Sequence, residues 1–369
     1  MSDRKLVYKV TVDEILPIEG ADKIEVARIT GWRVVVQKGE FKAGDTALFF
    51  EVDSSISAHD DRFAFLKERC YKKFLDQSRN LFDECLRIKT IKLRGIYSQG
   101  LLLPVTQFCE VRNKALGEDC RDVLYVRHYD EVAERAVRET QPFMAANQKG
   151  LFPSSFGPKS DEIRCQNLTD EEIKSVLNYE FELTEKRDGS SLSIGYSPTN
   201  RPDDPLAVCS RNYELKDMPS AYWDIVHELS LDEKLKKYCD DNSRELLVQG
   251  ELVGPGIQNN RDHLEKRNLQ VFRIWDIKAQ AFVQPEERYE ICRALGVDHV
   301  PVLTRTTLAP YVDPDNPDYM QAVRDNIIKS ADGTTANGNL REGIVFKQAD
   351  GKGDFHFKAV SNKYLEGLK

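Results

Sequence analysis

Lys186 stands in Glu185-Lys186-Arg187-Asp188-Gly189-Ser190-Ser191, between two runs rich in strand-forming residues. A lysine acts as a nucleophile only as the free amine, yet an exposed lysine titrates near pH ~10.4. Desolvation or a neighbouring positive charge is needed to make it reactive at neutral pH. The same residues have a plainer reading: Asp-Gly is the commonest short turn signal, and a hairpin needs no function. Lys-x-Asp-Gly alone also turns up by chance in on the order of one chain in ten of this length. Further clusters follow in order: Gly250-Glu251-Leu252-Val253-Gly254, then Val271-Phe272-Arg273-Ile274-Trp275-Asp276-Ile277, then Arg341-Glu342-Gly343-Ile344-Val345-Phe346-Lys347, and finally Phe357-Lys358-Ala359-Val360-Ser361-Asn362-Lys363. Taken singly, Glu251 and Glu342 read as solvated charges at strand ends.

In this order the clusters resemble the five motifs of the covalent nucleotidyltransferases, the superfamily of ATP-dependent ligases and capping enzymes. The chain is most similar to ATP-dependent RNA ligases with an N-terminal OB module and a C-terminal adenylyltransferase domain. The resemblance covers most of the chain, above all Asp161 to Tyr364, and extends to the run from Pro17 to Val26. It implies that Lys186 attacks the α-phosphate of ATP to form a lysyl-AMP phosphoramidate. The adenylate then passes to an RNA 5′-phosphate, and a 3′-hydroxyl displaces AMP. The implied partner is RNA, as a nicked duplex or as free ends, with no obligatory protein partner evident. The implied cofactors are ATP and Mg²⁺ or Mn²⁺.

The resemblance also assigns site residues. Asp188 belongs to the ribose or the metal's water shell, and Glu251 and Glu342 are the other two carboxylates. A hard cation keeps several waters, so these carboxylates are expected to hold it through water. Glu185, Gly189 and Arg211 complete the nucleotide set. Trp275 is expected to stack on one face of adenine and Val345 to cover the other, with Phe272 the rival for the stacking role. Lys347 and Lys358 would neutralise triphosphate charge where it builds up in the transition state. Related ligases often carry Lys-x-Lys in the last motif, whereas this chain has His356-Phe357-Lys358. His356 is expected to be an exposed strand residue, with Lys363 a possible source of the missing charge. Ser210-Arg211-Asn212 resembles a segment that contacts the nucleotide or the terminal 3′-OH nucleotide, and guanidinium suits phosphate and ribose oxygens.

Nearer the N-terminus, Arg87, Lys89, Lys92 and Arg94 lie on one strand-like run, with Tyr97 as a stacking surface. Backbone-tracking cations there would suit a nucleic-acid strand. An edge strand protected by charge explains them equally well.

The elements that must position these residues follow from periodicity. Strands are expected at Val7–Val12, Lys23–Thr30, Arg33–Val36 and Ala47–Val52, and again from Leu86 to Val105, separated by Gly- and Asp-rich turns. Asp60–Leu86 reads as a helix on the spacing of Phe63, Phe65, Leu66, Cys70 and Phe74. A second helix, Tyr129–Glu139, closes the unit, and the pattern suggests a small OB-type barrel. Residues 146–160 are rich in Gly, Pro and Ser and read as a linker. Beyond it, Thr169 opens a capping box, helices are expected at Ser220–Tyr238 and Pro285–Leu295, and strands at Tyr179–Glu185, Ser190–Tyr196, Leu246–Leu252, Leu269–Ile277, Gly343–Lys347 and Phe355–Val360. The expected class is α+β: an OB-fold module over residues 1–145, the linker, and an adenylyltransferase domain of antiparallel sheets and helices over 161–369.

Composition bounds these readings. The chain has 369 residues, a net charge of −8 and eight scattered cysteines without a C-x-x-C pair. No apolar run is long enough for a bilayer, and the polar N-terminus is unlike a signal peptide. A reducing, cytoplasmic location is expected. The negative charge counts against nucleic acid only as an average, because the cations concentrate at Arg87–Arg94 and Lys347–Lys363. Only 11 residues follow Lys358, too few for the further OB domain expected of a DNA ligase or capping enzyme, which are the alternatives. A non-catalytic OB-type nucleic-acid-binding protein is the third, opposed by the presence of Lys186, Asp188, Glu251, Glu342 and Lys358 together.

Overall fold

The computed structural model describes residues 5–76, 81–129, 147–313, 315 and 319–367. The chain divides into two compact units, Met1–Phe143 and Met144–Lys369.

The first unit is built from short antiparallel strands. Val7–Thr11, Thr46–Phe50 and Leu101–Pro104 form one sheet, with Thr46–Phe50 central. Glu14–Pro17, Ile24–Ile29 and Trp32–Gln37 form a meander. Alternation places Trp32, Val34 and Val36 inward, where Trp32 packs with Phe49 in one apolar cluster. A second cluster gathers Phe50, Phe63 and Phe108. The helix expected over Asp60–Leu86 covers only its first part: a 3₁₀ segment Asp61–Leu66 and one turn Lys67–Cys70. Phe65 is exposed, so the apolar stripe is incomplete. Tyr71–Asp76 instead pairs with Leu81–Arg87 as antiparallel strands. The second expected helix, Tyr129–Glu139, lies outside the described residues beyond Tyr129.

Among its described residues, the second unit holds two sheets. One has Ser190–Tyr196 and Leu246–Val253 at its centre, flanked by Leu206–Cys209 on one side and Asn268–Asp276 on the other. Helices Ala221–Glu228, Leu231–Asn242 and Pro285–Leu295 bury their apolar faces on it through residues such as Ile225, Leu235 and Ile291. The helix expected over Ser220–Tyr238 is thus two, parted at Ser230, which takes a left-handed φ of 48°. The other sheet has five strands, with Phe181–Lys186 between Val302–Thr306 and Gly343–Gln348, and His356–Val360 beyond. Helix Tyr319–Ser330, which the sequence reading missed, covers it together with Asp170–Val176. The shorter of these two starts with the expected capping box, Thr169 and Glu172 exchanging hydrogen bonds.

Residues 148–157 are not a linker. Gln148–Leu151 pairs with Tyr213–Leu215, and Phe152 and Phe156 are buried with Leu247 and Ile277. Room is made by small residues: a Cβ on Gly195 would lie 2.4 Å from the Phe156 ring, and one on Gly157 would lie 2.6 Å from Trp275. The Pro/Gly/Ser composition here reflects tight packing, not freedom.

Candidate active site

Strand alternation in the five-stranded sheet explains which side chains meet. Phe181 and Leu183 face the apolar cluster, as do Ile344, Phe346, Phe357 and Ala359 on the neighbouring strands. Thr184 and Lys186 therefore take the opposite face, where the register sets them beside Val345 and Gly343. Lys358 lies opposite Val345. Thr184, Lys186, Val345 and Lys358 line one cleft of ≈ 600 Å³ in the second unit.

The stretch after Lys186 is not a hairpin. Phe181–Lys186 and Ser190–Tyr196 belong to different sheets, so Arg187–Gly189 carries the chain from one to the other. Gly189 is required by that crossing: a Cβ there would lie 2.4 Å from the carbonyl oxygen of Leu252. Arg187 is buried and ion-paired with Glu185 and Asp262, which fixes the crossing from behind. The carboxylate of Glu185, expected at the nucleotide, is thus committed to Arg187, although the residue borders the cleft.

Lys186 Nζ donates to Glu342 Oε1 at 2.7 Å. Burial alone would push its pKa down, but Glu342 and then Glu251 outweigh this and raise it. In the ligand-free protein the amine is therefore a cation. Glu251 sits opposite Ser191 on the adjacent strand and lines the same cleft. Burial pushes its pKa up to about 7, against the opposing charge of Lys186. Asp188 completes the acidic side and accepts a hydrogen bond from Tyr364 Oη at 2.6 Å.

Two lysines mark the opposite charge. Lys347 is buried, with Nζ 2.5 Å from the carbonyl oxygen of Phe272. Burial, followed by the charge of Arg288, brings its pKa down to about 7. Lys358 Nζ lies 3.0 Å from Asp161, whose other oxygen accepts from Arg211 at 2.9 Å. Arg211 and Asn212 occupy the turn between two strands, where both border the cleft. Ser160, Asp161 and Glu162 also line it, so the end of the expected linker is a wall of the site. Buried Arg273 holds that wall, donating to Gln249 and the Lys159 carbonyl and pairing with Glu162 at 3.5 Å.

Trp275 does not reach the cleft. Its ring packs on Phe282 with a centroid distance of 4.8 Å and joins the cluster of Phe152 and Phe156. Trp275 pairs with Leu247, on the sheet face that carries Glu251 but further along the strand, where Phe152 and Phe156 cover it. Nearer Glu251 a bulge pairs Gln249 with Arg273 and Gly250 with Val271 and leaves Phe272 unpaired. Phe272 lines the cleft there, as do Tyr213, Tyr222, Val345 and Val300. Thr184 is missing from the sequence assignments as well; its buried hydroxyl lines the cleft with no hydrogen-bond partner.

His356 is half-buried, not exposed. Its Nε2 lies 3.3 Å from Arg273, and burial together with that guanidinium pushes its pKa down, so it is neutral at pH 7. Lys363 is largely exposed, 3.9 Å from Asp332, and does not border the cleft. Neither replaces a motif lysine.

The basic run of the first unit is likewise rearranged. Arg87 ends one strand, and buried Ile88 interrupts the run before Thr90–Leu93 begins, so Arg87 and Lys89 share no strand face. Arg87 pairs with Asp53 at 2.6 Å, its guanidinium 4.1 Å from the Tyr129 ring centre. Lys92 and Arg94 are exposed on the hairpin of Thr90–Leu93 with Ile96–Gln99; Arg94 sits in its turn.

The carboxylates of Asp188, Glu251 and Glu342 share the cleft with the Lys186 amine, with no group of three or more His, Cys, Asp or Glu close enough to chelate a metal directly among the described residues. Such an all-oxygen set suits a hard cation that keeps its waters. No helix of the described residues is long and apolar enough to cross a membrane.

Comparison with known proteins agrees with this geometry. An OB-fold domain model matches residues 6–105, and an RNA ligase model matches residues 179–363. No curated protein sequence matches the chain. Solved structures do. A lysine-to-methionine mutant of Naegleria gruberi RNA ligase with AMP and Mn is 33% identical, covers 99% of each chain and superposes with a TM-score of 0.72. A lysine-to-alanine mutant of the same ligase with ATP and Mn gives 32%, 99% of each chain and 0.72. The ligase with PPi gives 33%, 99% of this chain, 98% of that one, and 0.70. The expected OB-type unit and ligase-type α+β unit are both present, and the chain belongs to the RNA ligase family.

Proposed function

We propose that the protein is an ATP-dependent RNA ligase that seals 3′-OH and 5′-phosphate RNA ends, including nicks in a duplex, through a lysyl-AMP intermediate on Lys186. The observation that carries this reading is the cleft in which the Lys186 amine touches Glu342, faces Glu251 and shares its walls with Phe272, Val345, Lys347 and Lys358. Phe272 and Val345 supply the apolar surface for adenine. Lys347 and Lys358 neutralise phosphate charge. Asp188, Glu251 and Glu342 would hold Mg²⁺ or Mn²⁺ through its waters. When bound, that ion supplies the positive charge that draws the carboxylates from Lys186 and favours its neutral amine. The Lys186 nitrogen then attacks the α-phosphorus, the bond to the β-phosphate oxygen breaks, and pyrophosphate leaves. Lys358 is freed from Asp161 to meet the phosphates. Arg211 and Asn212, with Lys92 and Arg94 of the first unit, contact RNA. The eight cysteines are all free thiols, which supports a reducing, cytoplasmic setting.

Incubation with labelled ATP and Mn²⁺ should give a denaturation-resistant protein–AMP adduct, lost in Lys186→Ala. An adduct that survives that substitution overturns the nucleophile. Sealing of nicks with an RNA 3′-OH strand should exceed sealing of all-DNA nicks; equal sealing removes the choice of RNA.

A further inference from the structure

Asp188 is held from outside the motif that contains it. The phenol of Tyr364, on the helix Asn362–Gly367, donates to Asp188 Oδ2 at 2.6 Å across 176 residues of chain. Tyr364 is buried, and its placement is itself fixed. Its backbone N–H donates to Ser361 Oγ at 3.1 Å, and that hydroxyl donates to Asp332 at 2.7 Å. The Arg261 guanidinium lies 4.7 Å from the ring centre and also donates to the Gly367 carbonyl at 3.3 Å. The ring and the helix are thus anchored independently of Asp188. A phenol is protonated and a donor at neutral pH, so it fixes one carboxylate oxygen and leaves the other for the cleft.

We infer that Tyr364 is a positioning residue, one that acts on nucleotide binding and lysine adenylylation by orienting the Asp188 carboxylate. This rests on the reading of the cleft given above. Outer partners that orient a carboxylate typically matter by about 10–100-fold when removed. The free carboxylate of an unheld Asp188 turns on its Cβ–Cγ bond, and the hydrogen-bond geometry it presents to the cleft is lost.

The test is a double-mutant cycle with Tyr364→Phe and Asp188→Ala, because Tyr364→Phe keeps the ring, its packing and the Arg261 contact, and Asp188→Ala leaves no acceptor. Two readouts are taken: the single-turnover rate of protein–AMP formation at saturating ATP and Mn²⁺, and equilibrium ATP affinity by calorimetry on a Lys186→Ala background. Tyr364→Phe should slow the rate roughly tenfold and weaken affinity in the same direction. In the presence of Asp188→Ala it should change neither, since its target is gone. A role in stability alone predicts full additivity, and either additive effects or a wild-type rate for Tyr364→Phe overturns the inference. Thermal melting of each variant separates a folding defect from a positioning one: a Tyr364→Phe protein that melts as wild type yet is slow supports positioning, and one whose slow rate is restored by lowering the temperature counts against it. Should the unmutated enzyme form no adduct, the reading of Lys186 fails, while the affinity arm of the cycle still decides Tyr364.

Discussion

Lys347→Met removes a buried charge that the fold holds at a cost, and its effect follows from the surroundings of the amine. Lys347 is 7% exposed, its Nζ bonded to a single backbone carbonyl, and burial with the nearby Arg288 lowers its pKa to about 7. In the unfolded chain the same amine titrates near ~10.4. Between those values the unfolded chain carries a proton that the folded one lacks, so stability rises with pH by about 1.4 kcal/mol per unit. Below pH 7 both states are protonated, and the contribution is flat and most unfavourable, roughly 4–5 kcal/mol in total. Methionine keeps the length of the stem and cannot titrate. Urea unfolding at pH 7.5 and 9.0 without ligand should show the natural protein gaining about 2 kcal/mol more than the variant over that interval. The difference between the two proteins cancels every titration they share. Nucleotide should restore the proton, so ATP binding at pH 8 should take up close to one proton more in the natural protein than in Lys347→Met, by calorimetry in buffers of different ionisation enthalpy. Parallel stability curves for the two proteins refute the reasoning.

Phe272→Ala should weaken ATP binding about tenfold, the scale of one lost stacking contact, with little change in melting temperature. Trp275→Ala should do the reverse, costing about 3–5 kcal/mol of stability and leaving ATP affinity of the folded protein unchanged; calorimetry and unfolding on both variants decide the assignment. Asp161→Asn should tighten ATP binding several-fold by releasing Lys358 and Arg211, while stability moves by less than about 1 kcal/mol because both pairs are partly exposed. Gly189→Ala should slow adenylylation and lower the melting temperature, since its Cβ would strike the Leu252 carbonyl; Gly150→Ala, in open space, should do neither.

The residue types of the site were legible because the chemistry restricts them. A lysine nucleophile, carboxylates for a hard cation and lysines for phosphate have few substitutes, and their order along the chain survives without any structure. Strand alternation carried much of the rest: Thr184, Lys186, Val345 and Lys358 meet because a period of two puts them on one face. The resemblance misled at Trp275, which shares a sheet face with Glu251 but lies further along the strand under Phe152 and Phe156, whereas a bulge inserts Phe272 beside the cleft. Nothing in the one-letter sequence marks that insertion; the pairing partner across the sheet creates it. His356 fails for a related reason. Its exposure depends on Arg273 and Phe282, which lie more than seventy residues away in sequence.

Composition misled in a different way. Proline, glycine and serine in residues 146–160 read as freedom, yet glycine also permits close approach, and Gly157 against Trp275 is that second use. Asp188-Gly189 reads as a hairpin by the same local logic, whereas the glycine serves a crossing between sheets past the Leu252 carbonyl. Both errors share a cause: turn chemistry reports what backbone a residue tolerates, not what it lies against. The crossing is also why the site can exist. A hairpin would have kept Lys186 and Ser190 in one sheet. Carrying the chain between sheets brings Glu251 and Phe272 from one to face Glu342, Lys347 and Lys358 from the other, so that lysine, carboxylates and phosphate-binding cations converge on a single cleft.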